Sequence, residues 1–179
     1  MATATKTLWK IDPTHSEIEF KVKHLVISTV TGKFTEFDAS LETEDGTFEG
    51  ADVKFNAEIA SILTGVEDRD NHLKSADFFD AENFPKLTFD STSFEKTGDS
   101  TYKLRGHLTI KDTTREVILD VEHGGTVEDP YGQTKAGFEI SGEINRKEFG
   151  LTWSAVTEAG SVVVGDTVKL IMNVQVVQS

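Results

Sequence analysis

The residues best suited to chemistry in this chain are five histidines: His15, His24, His72, His107 and His123. None stands in an H-x-H or HExxH arrangement, so no metal site has a local signature, and only one assembled from distant residues is left open. Cysteine is absent, which removes disulfides, thiolate metal sites and a thiol nucleophile. His72 lies near Asp70 and Asp77, the arrangement of a base and its orienter. Such a pair needs a nucleophile or a polarised substrate to act on. No G-x-S-x-G elbow, P-loop or dinucleotide fingerprint supplies one. Two acids beside a histidine are also what a capped surface helix presents. The sequence therefore reads as a protein that is not an enzyme, with no catalytic residue, metal or cofactor assigned. His24 has the parity of an inward-facing residue. It is either a core imidazole satisfied by one hydrogen bond or a polar point in an apolar lumen. His107 shares a polar face with Arg105 and reads as solvated.

The elements that must position these residues follow from composition and pattern. A chain of 179 residues that is 37% hydrophobic, with 12 phenylalanines, can bury a core and suits one domain. The formal charge of −13 repels phosphate and makes nucleic acid and anionic lipid surfaces poor partners. The opening MATATKTLWKID has no apolar leader region, and no run approaches the length of a membrane span. The expectation is a soluble cytoplasmic protein, or a periplasmic one if a signal was removed.

Alternation of apolar and polar residues dominates. In SEIEFKVKHLVI, Ile18, Phe20, Val22 and His24 share one face while Glu17, Glu19, Lys21 and Lys23 share the other. The pattern returns in FDASLETEDG, DVKFNAEIA, KLTFDSTSF, YKLRGHLTIK, REVILDVE and KAGFEISGEIN, and again along Val168, Leu170, Met172, Val174 and Val176. Asp45-Gly46, Gly98-Asp99, the KDTTRE stretch and Asp129-Pro130-Tyr131-Gly132 separate these runs as turns. About eight strands result, each apolar on one face and charged on the other. A charged second face has no covering layer, so the strands can close on themselves with their apolar faces inside, a barrel in preference to a sandwich. Phe20, Phe37, Phe55, Phe89 and Phe138, with Met172, recur on the inward face. They either fill a core or line a slot. Gly106, Gly142, Ala39 and Ala57 share that face, and small inward residues are expected to leave space for a ligand.

One stretch breaks the alternation: DNHLKSADFFDAENFP, from Asp70 to Pro85. Upstream, Thr64 followed three residues later by Glu67 matches a capping box. The spacing predicts a short helix from about Gly65 to about Ser75, ended before Pro85. Such an insertion caps a barrel end. Phe78 and Phe79 would be its plug or lid, with Arg69, His72 and Lys74 as a polar rim. The helix either completes the core or guards an entrance.

Five blocks in order resemble one family. They are DPTHSEIEFKVKHL (Asp12 to Leu25), STVTGKF (Ser28 to Phe34), RDNHLKSADFFDAENFP (Arg69 to Pro85), LRGHLTIKDTTREV (Leu104 to Val117) and EINRKEFGL (Glu143 to Leu151). The chain resembles the YceI-like family of bacterial polyisoprenoid-binding proteins. The resemblance implies an all-β fold: a single antiparallel eight-stranded lipocalin-like barrel with a short helical insertion, spanning 9–178 after a tail at 1–8. It implies a lumen that binds a long isoprenoid lipid, a quinone or a polyprenyl phosphate, for carriage, storage or sequestration. The lumen residues would be Phe20, Val22, His24, Phe37, Phe55, Phe78, Phe79, Phe89, Phe138 and Met172. Arg69, His72, Lys74 and Arg146 would meet the head group or form the entrance. A homodimer and a transient membrane contact for lipid exchange are compatible with this reading. Many family members carry an export signal, and this chain's opening does not show one. The alternative is a filled barrel that acts as an interaction or stress-response protein without a ligand.

Overall fold

The computed structural model describes residues 5–25, 27–152 and 164–179. Strand β1 (Lys6–Ile11) and β2 (Glu17–His24) form one long bent stave, and β3 (Ser28–Phe34) and β4 (Phe37–Glu44) form the next. The third is β5 (Thr47–Glu58) with the short β6 (Ile62–Leu63). After helix α1 (Glu67–Lys74) come β7 (Lys86–Lys96), β8 (Thr101–Ile110), β9 (Thr113–Glu128), β10 (Thr134–Asn145) and β11 (Val164–Gln178). Each stave pairs antiparallel with the one before it, and β11 returns to pair with both β1 and β2. The eleven strand segments among the described residues thus make eight staves, closed into a barrel with no free edge of the ring.

The bends have local causes. Between β1 and β2, Pro13 fixes the backbone while the Asp12 carboxylate accepts from the Thr14 N–H at 3.0 Å, the Thr14 hydroxyl at 2.7 Å and His15 Nδ1 at 2.8 Å. The Thr14 and His15 hydrogen bonds hold the Asp12 carboxyl down at about 2, from 3.8. The second and third staves bend at the same level, where Thr35 donates to the Ser61 carbonyl through both its N–H and its hydroxyl at 3.2 Å. Asp45 and Gly46 both have positive φ, at 56° and 75°, as a two-residue hairpin requires.

Two boundaries differ from expectation. The first stave begins at Lys6, inside the stretch read as a tail, because Lys6–Lys10 pair with Ser40–Glu44 of β4. The helix is shorter than the predicted span, at Glu67–Lys74, and Val66 occupies its N-cap without a side-chain bond. Asp70, not Glu67, reaches back instead: its carboxylate accepts from both the N–H and the hydroxyl of Thr64.

The antiparallel order fixes what lies at each end. The helix, the β2–β3 turn, Lys111–Asp112 and the start of the β10–β11 connection share one end. The hairpins at Asp45–Gly46, Gly98–Ser100 and Pro130–Gln133 share the other. In that second half of the barrel the inward side chains form an aromatic cluster. Phe48 contacts Trp9 at 5.4 Å and Phe138 at 5.1 Å between ring centroids, and His123 stacks on Phe138 at 5.0 Å. The buried Trp9 indole donates to Thr43 Oγ1 at 3.2 Å, so its N–H is satisfied in the core. Among the described residues no helix is long and apolar enough to cross a membrane.

Candidate functional site

Inward-facing side chains of all eight staves enclose a cavity of about 220 Å³. Alternation places them: every second residue of a strand points inward, and the inward set here is aliphatic and aromatic. Phe20, Val22, Phe55, Phe89, Phe138 and Met172 line the cavity from the strands, and Phe78 and Phe79 from the segment after α1. His24 and Phe37 are half-buried and do not line it. Phe37 packs against the core where β4 meets Ala57 of β5, and His24 is the last residue of β2. Sequence reading did not single out Leu73, Phe34, Phe94 or Ile140, which also line the cavity. The three strand residues carry the same inward signal. Leu73 is the one apolar residue within α1.

The small inward residues do not act as expected. Gly106, Gly142 and also Gly32 face inward, yet the space over each is taken by a neighbour. A Cβ on Gly32 would meet the Phe20 ring at 2.2 Å, one on Gly106 the Phe89 ring at 2.5 Å, and one on Gly142 the Leu119 side chain at 2.4 Å. Each glycine is a seat for a large side chain of the next strand, and Phe20 and Gly32 are direct register partners. Glycine here sets how far the rings lie back against the wall, and so shapes the lumen indirectly. Ala57 is fully buried in packed core, and of the two alanines only Ala39 lines the cavity.

The stretch from Arg69 to Pro85 closes one end. Phe78 is buried and Phe79 half-buried. Phe79 meets Phe34 edge-on at 6.4 Å, and Phe34 meets Phe20 at 5.7 Å, so the plug is continuous with the lumen wall. Backbone bonds tie the plug to the helix: the Phe79 N–H donates to the Leu73 carbonyl and the Ala81 N–H to the Lys74 carbonyl. The polar residues of this stretch divide by role. Arg69 donates to the hydroxyl and carbonyl of Thr64, at 2.7 Å each, and so pins the helix entry. His72 Nε2 lies 2.9 Å from Asp77 and its ring sits edge-on to Phe78 at 5.1 Å. Lys74 is half-buried on the last turn of α1. None of the three lines the cavity.

Arg146 does line it, and it is almost fully buried at 3% exposure. It follows Asn145, whose side chain accepts from the Lys147 N–H, and opens a one-turn 3₁₀ segment capped by Gly150 at φ 78°. Its guanidinium donates to the carbonyls of Leu151 at 2.6 Å, Gly165 at 2.8 Å and Val164 at 3.3 Å, with Asp166 at 3.8 Å. Burial pulls its basicity below the ordinary range, and Asp166 offsets part of that. Arg146 therefore ties β11 to the end of β10 from inside the wall. Among the described residues no three carboxylates or imidazoles come together as a metal site would require.

A closed antiparallel barrel of eight staves with an apolar internal cavity and a plugging helix defines the lipocalin-like class. The chain belongs to the YceI-like family, whose domain matches residues 9–176. A UPF0312 protein of Staphylococcus epidermidis is 38% identical over 164 residues, covering 91% of this chain and 93% of that protein. A crystal structure of a Campylobacter jejuni YCEI protein is 33% identical with a TM-score of 0.74, covering 86% of this chain and 87% of that one. A polyisoprenoid binding domain from Saccharophagus degradans shares the fold, with a TM-score of 0.68 at 14% identity, over 94% of this chain and 97% of that one.

Proposed function

We propose that the protein binds a long-chain isoprenoid lipid, of quinone or polyprenyl phosphate type, in the barrel lumen, for carriage, storage or sequestration. The observation that carries this reading is the cavity itself: about 220 Å³ lined by aliphatic and aromatic side chains from every stave. A filled barrel would have no such space, which is why ligand binding is favoured over a ligand-free interaction protein. The name of the S. degradans domain supports the same ligand class. Binding, not catalysis, is the activity proposed, because the lining is aliphatic and aromatic apart from Glu19, Ser40 and Arg146, and the Arg146 guanidinium is engaged by backbone carbonyls.

The energetics suit a prenyl chain. With ~10–30 Å³ per water-sized group, the cavity accepts roughly seven to twenty methylene-sized groups. Each buried methylene contributes ~0.8 kcal/mol. Ten of them offer ~8 kcal/mol, comparable with the ~4–15 kcal/mol cost of association, so affinity should grow steeply with chain length. The head group belongs at the helix end in this reading, where Lys74 and His72 form the rim and Arg146 positions the wall. Native mass spectrometry of gently purified protein, followed by solvent extraction, tests the proposal. A released apolar ligand, or uptake of an added quinone, is the expected result. A bare mass together with no thermal shift from any prenyl lipid would overturn it.

A further inference from the structure

The ring is closed, but one of its seams is paired over only half its length. β5 and β7 share a ladder from Lys54–Asp90 to Glu58–Lys86 and no further. Residues Thr47–Val53 of β5 and Ser91–Lys96 of β7 continue as strands, held on their far sides by β4 and β8. Between them the ladder is replaced by side-chain bridges. Ser91 Oγ accepts from the Val53 N–H at 2.8 Å, and the Glu49 carboxylate accepts from the Lys96 N–H at 3.1 Å. Two local devices hold the strands apart. β7 carries a bulge between Ser91 and Ser93, and Gly50 sits at φ 79° within β5 with open space where a side chain would be. Ser93 Oγ is buried there without a hydrogen-bond partner among the described residues. Outside, the parted strands form a cleft lined by Glu49–Asp52 and Ser91–Lys96. Phe94, whose ring stacks on Tyr102 at 4.8 Å, lines both this cleft and the lumen.

We infer that this seam is a side opening through which the distal tail of a chain too long for the lumen leaves the barrel, with Phe94 at the passage. The inference rests on the lipid-binding reading above and deepens it. The lumen takes roughly seven to twenty methylene-sized groups, fewer than a long polyprenyl chain carries. The helix end is occupied by the Phe78–Phe79 segment and, in the reading above, by the head group, and the inward aromatic cluster of Trp9, Phe48 and Phe138 lies toward the opposite end. The seam lies in the half of the barrel away from the helix, where a tail whose head is at the helix end would arrive. Its acidic rim of Glu49, Asp52 and Glu95 disfavours an anionic head.

A reversible staple tests this, and the natural chain has no cysteine to interfere. Asp52→Cys with Ser91→Cys joins side chains already 3.4 Å apart across the seam. Glu49→Cys with Lys96→Cys is a second staple, and Phe94→Trp fills the passage from inside without one. Bridge formation is read by intact mass, and binding of the short prenol farnesol and the long prenol decaprenol is measured before and after reduction with dithiothreitol. Oxidation should weaken decaprenol about tenfold or more and leave farnesol within about twofold, with reduction restoring both. Phe94→Trp, which also alters the lumen wall, should weaken decaprenol more than farnesol. Equal decaprenol affinity in stapled and reduced protein overturns the side opening alone. Farnesol binding without decaprenol binding in the reduced protein overturns it too. Failure of the reduced protein to bind either prenol overturns the lipid-binding reading beneath it.

Discussion

Replacing Arg146 with leucine separates two roles that its position allows. Among the described residues the side chain donates to the backbone carbonyls of Leu151, Val164 and Gly165, and it is 3% exposed. Leucine keeps much of the volume and removes every donor. A buried acceptor left without a partner costs ~1–3 kcal/mol. Val164 and Gly165 are only half-buried, so water can satisfy part of the loss. The expected destabilisation is ~3–5 kcal/mol, toward the low end of the sum for three such acceptors. For a chain of this size that is a fall in Tm of about 6–20 °C, at ~2–4 °C per kcal/mol. Calorimetry reads the Tm, and lipid competition reads the affinities for a prenol and its phosphate. An arginine whose donors are engaged by the wall predicts that both lipids weaken alike. A Tm within about 2 °C of the parent refutes the clamp. A selective loss of the phosphate would make Arg146 a head-group anchor.

Other outcomes follow from the same geometry. Phe78→Ala should cost about 3–5 kcal/mol and Phe79→Ala less, because Phe78 is buried and Phe79 only half-buried; the double variant should also speed lipid release, and a large stability loss with unchanged release would make the pair plain core. Gly32→Ala places a Cβ 2.2 Å from the Phe20 ring, which must swing into the lumen, so prenol affinity should fall while folding persists; unchanged affinity would show that the ring has room elsewhere. Gly106→Ala also meets the Asp90 backbone carbonyl at 2.5 Å, which cannot yield, so its unfolding midpoint should drop more than that of Gly32→Ala. Asp12 has a carboxyl held at about 2 against 3.8, so the stability it adds is complete above the ordinary value and disappears as pH falls through about 2. Asp12→Asn should therefore be less stable than the parent at neutral pH, with the gap closing in acid; a gap that is constant down to pH ~2 would contradict this.

Much of the fold was legible in the sequence because it rests on single-strand properties. The alternation of Ile18, Phe20 and Val22 with Glu19, Lys21 and Lys23 specifies an inward face before any partner is known. Eight such runs, with Asp45-Gly46 as a hairpin, are enough for a closed meander. The broken pattern from Asp70 to Phe84 marks the insertion equally well. What stayed hidden depends on pairs. A lone Gly106 reads as empty space, since nothing in its own strand says that Phe89 lies over it. Arg146 reads as a polar turn residue in EINRKEFGL, but its partners are carbonyls up to 19 residues away. The seam between β5 and β7 is invisible for the same reason: TFEGADV and STSFEK each look like ordinary strand, and only their failure to pair opens the wall. Parity gives His24 a direction but not its distance along the barrel: it ends β2 and does not line the cavity.

The central claim is that the lumen holds an apolar chain, and isothermal titration calorimetry across a series of prenols of increasing length tests it most directly. Burying the chain should give a negative heat-capacity change, and affinity should rise by about fourfold for each methylene added while the lumen is filling. Absent binding, or an affinity independent of chain length with no heat-capacity change, would contradict it.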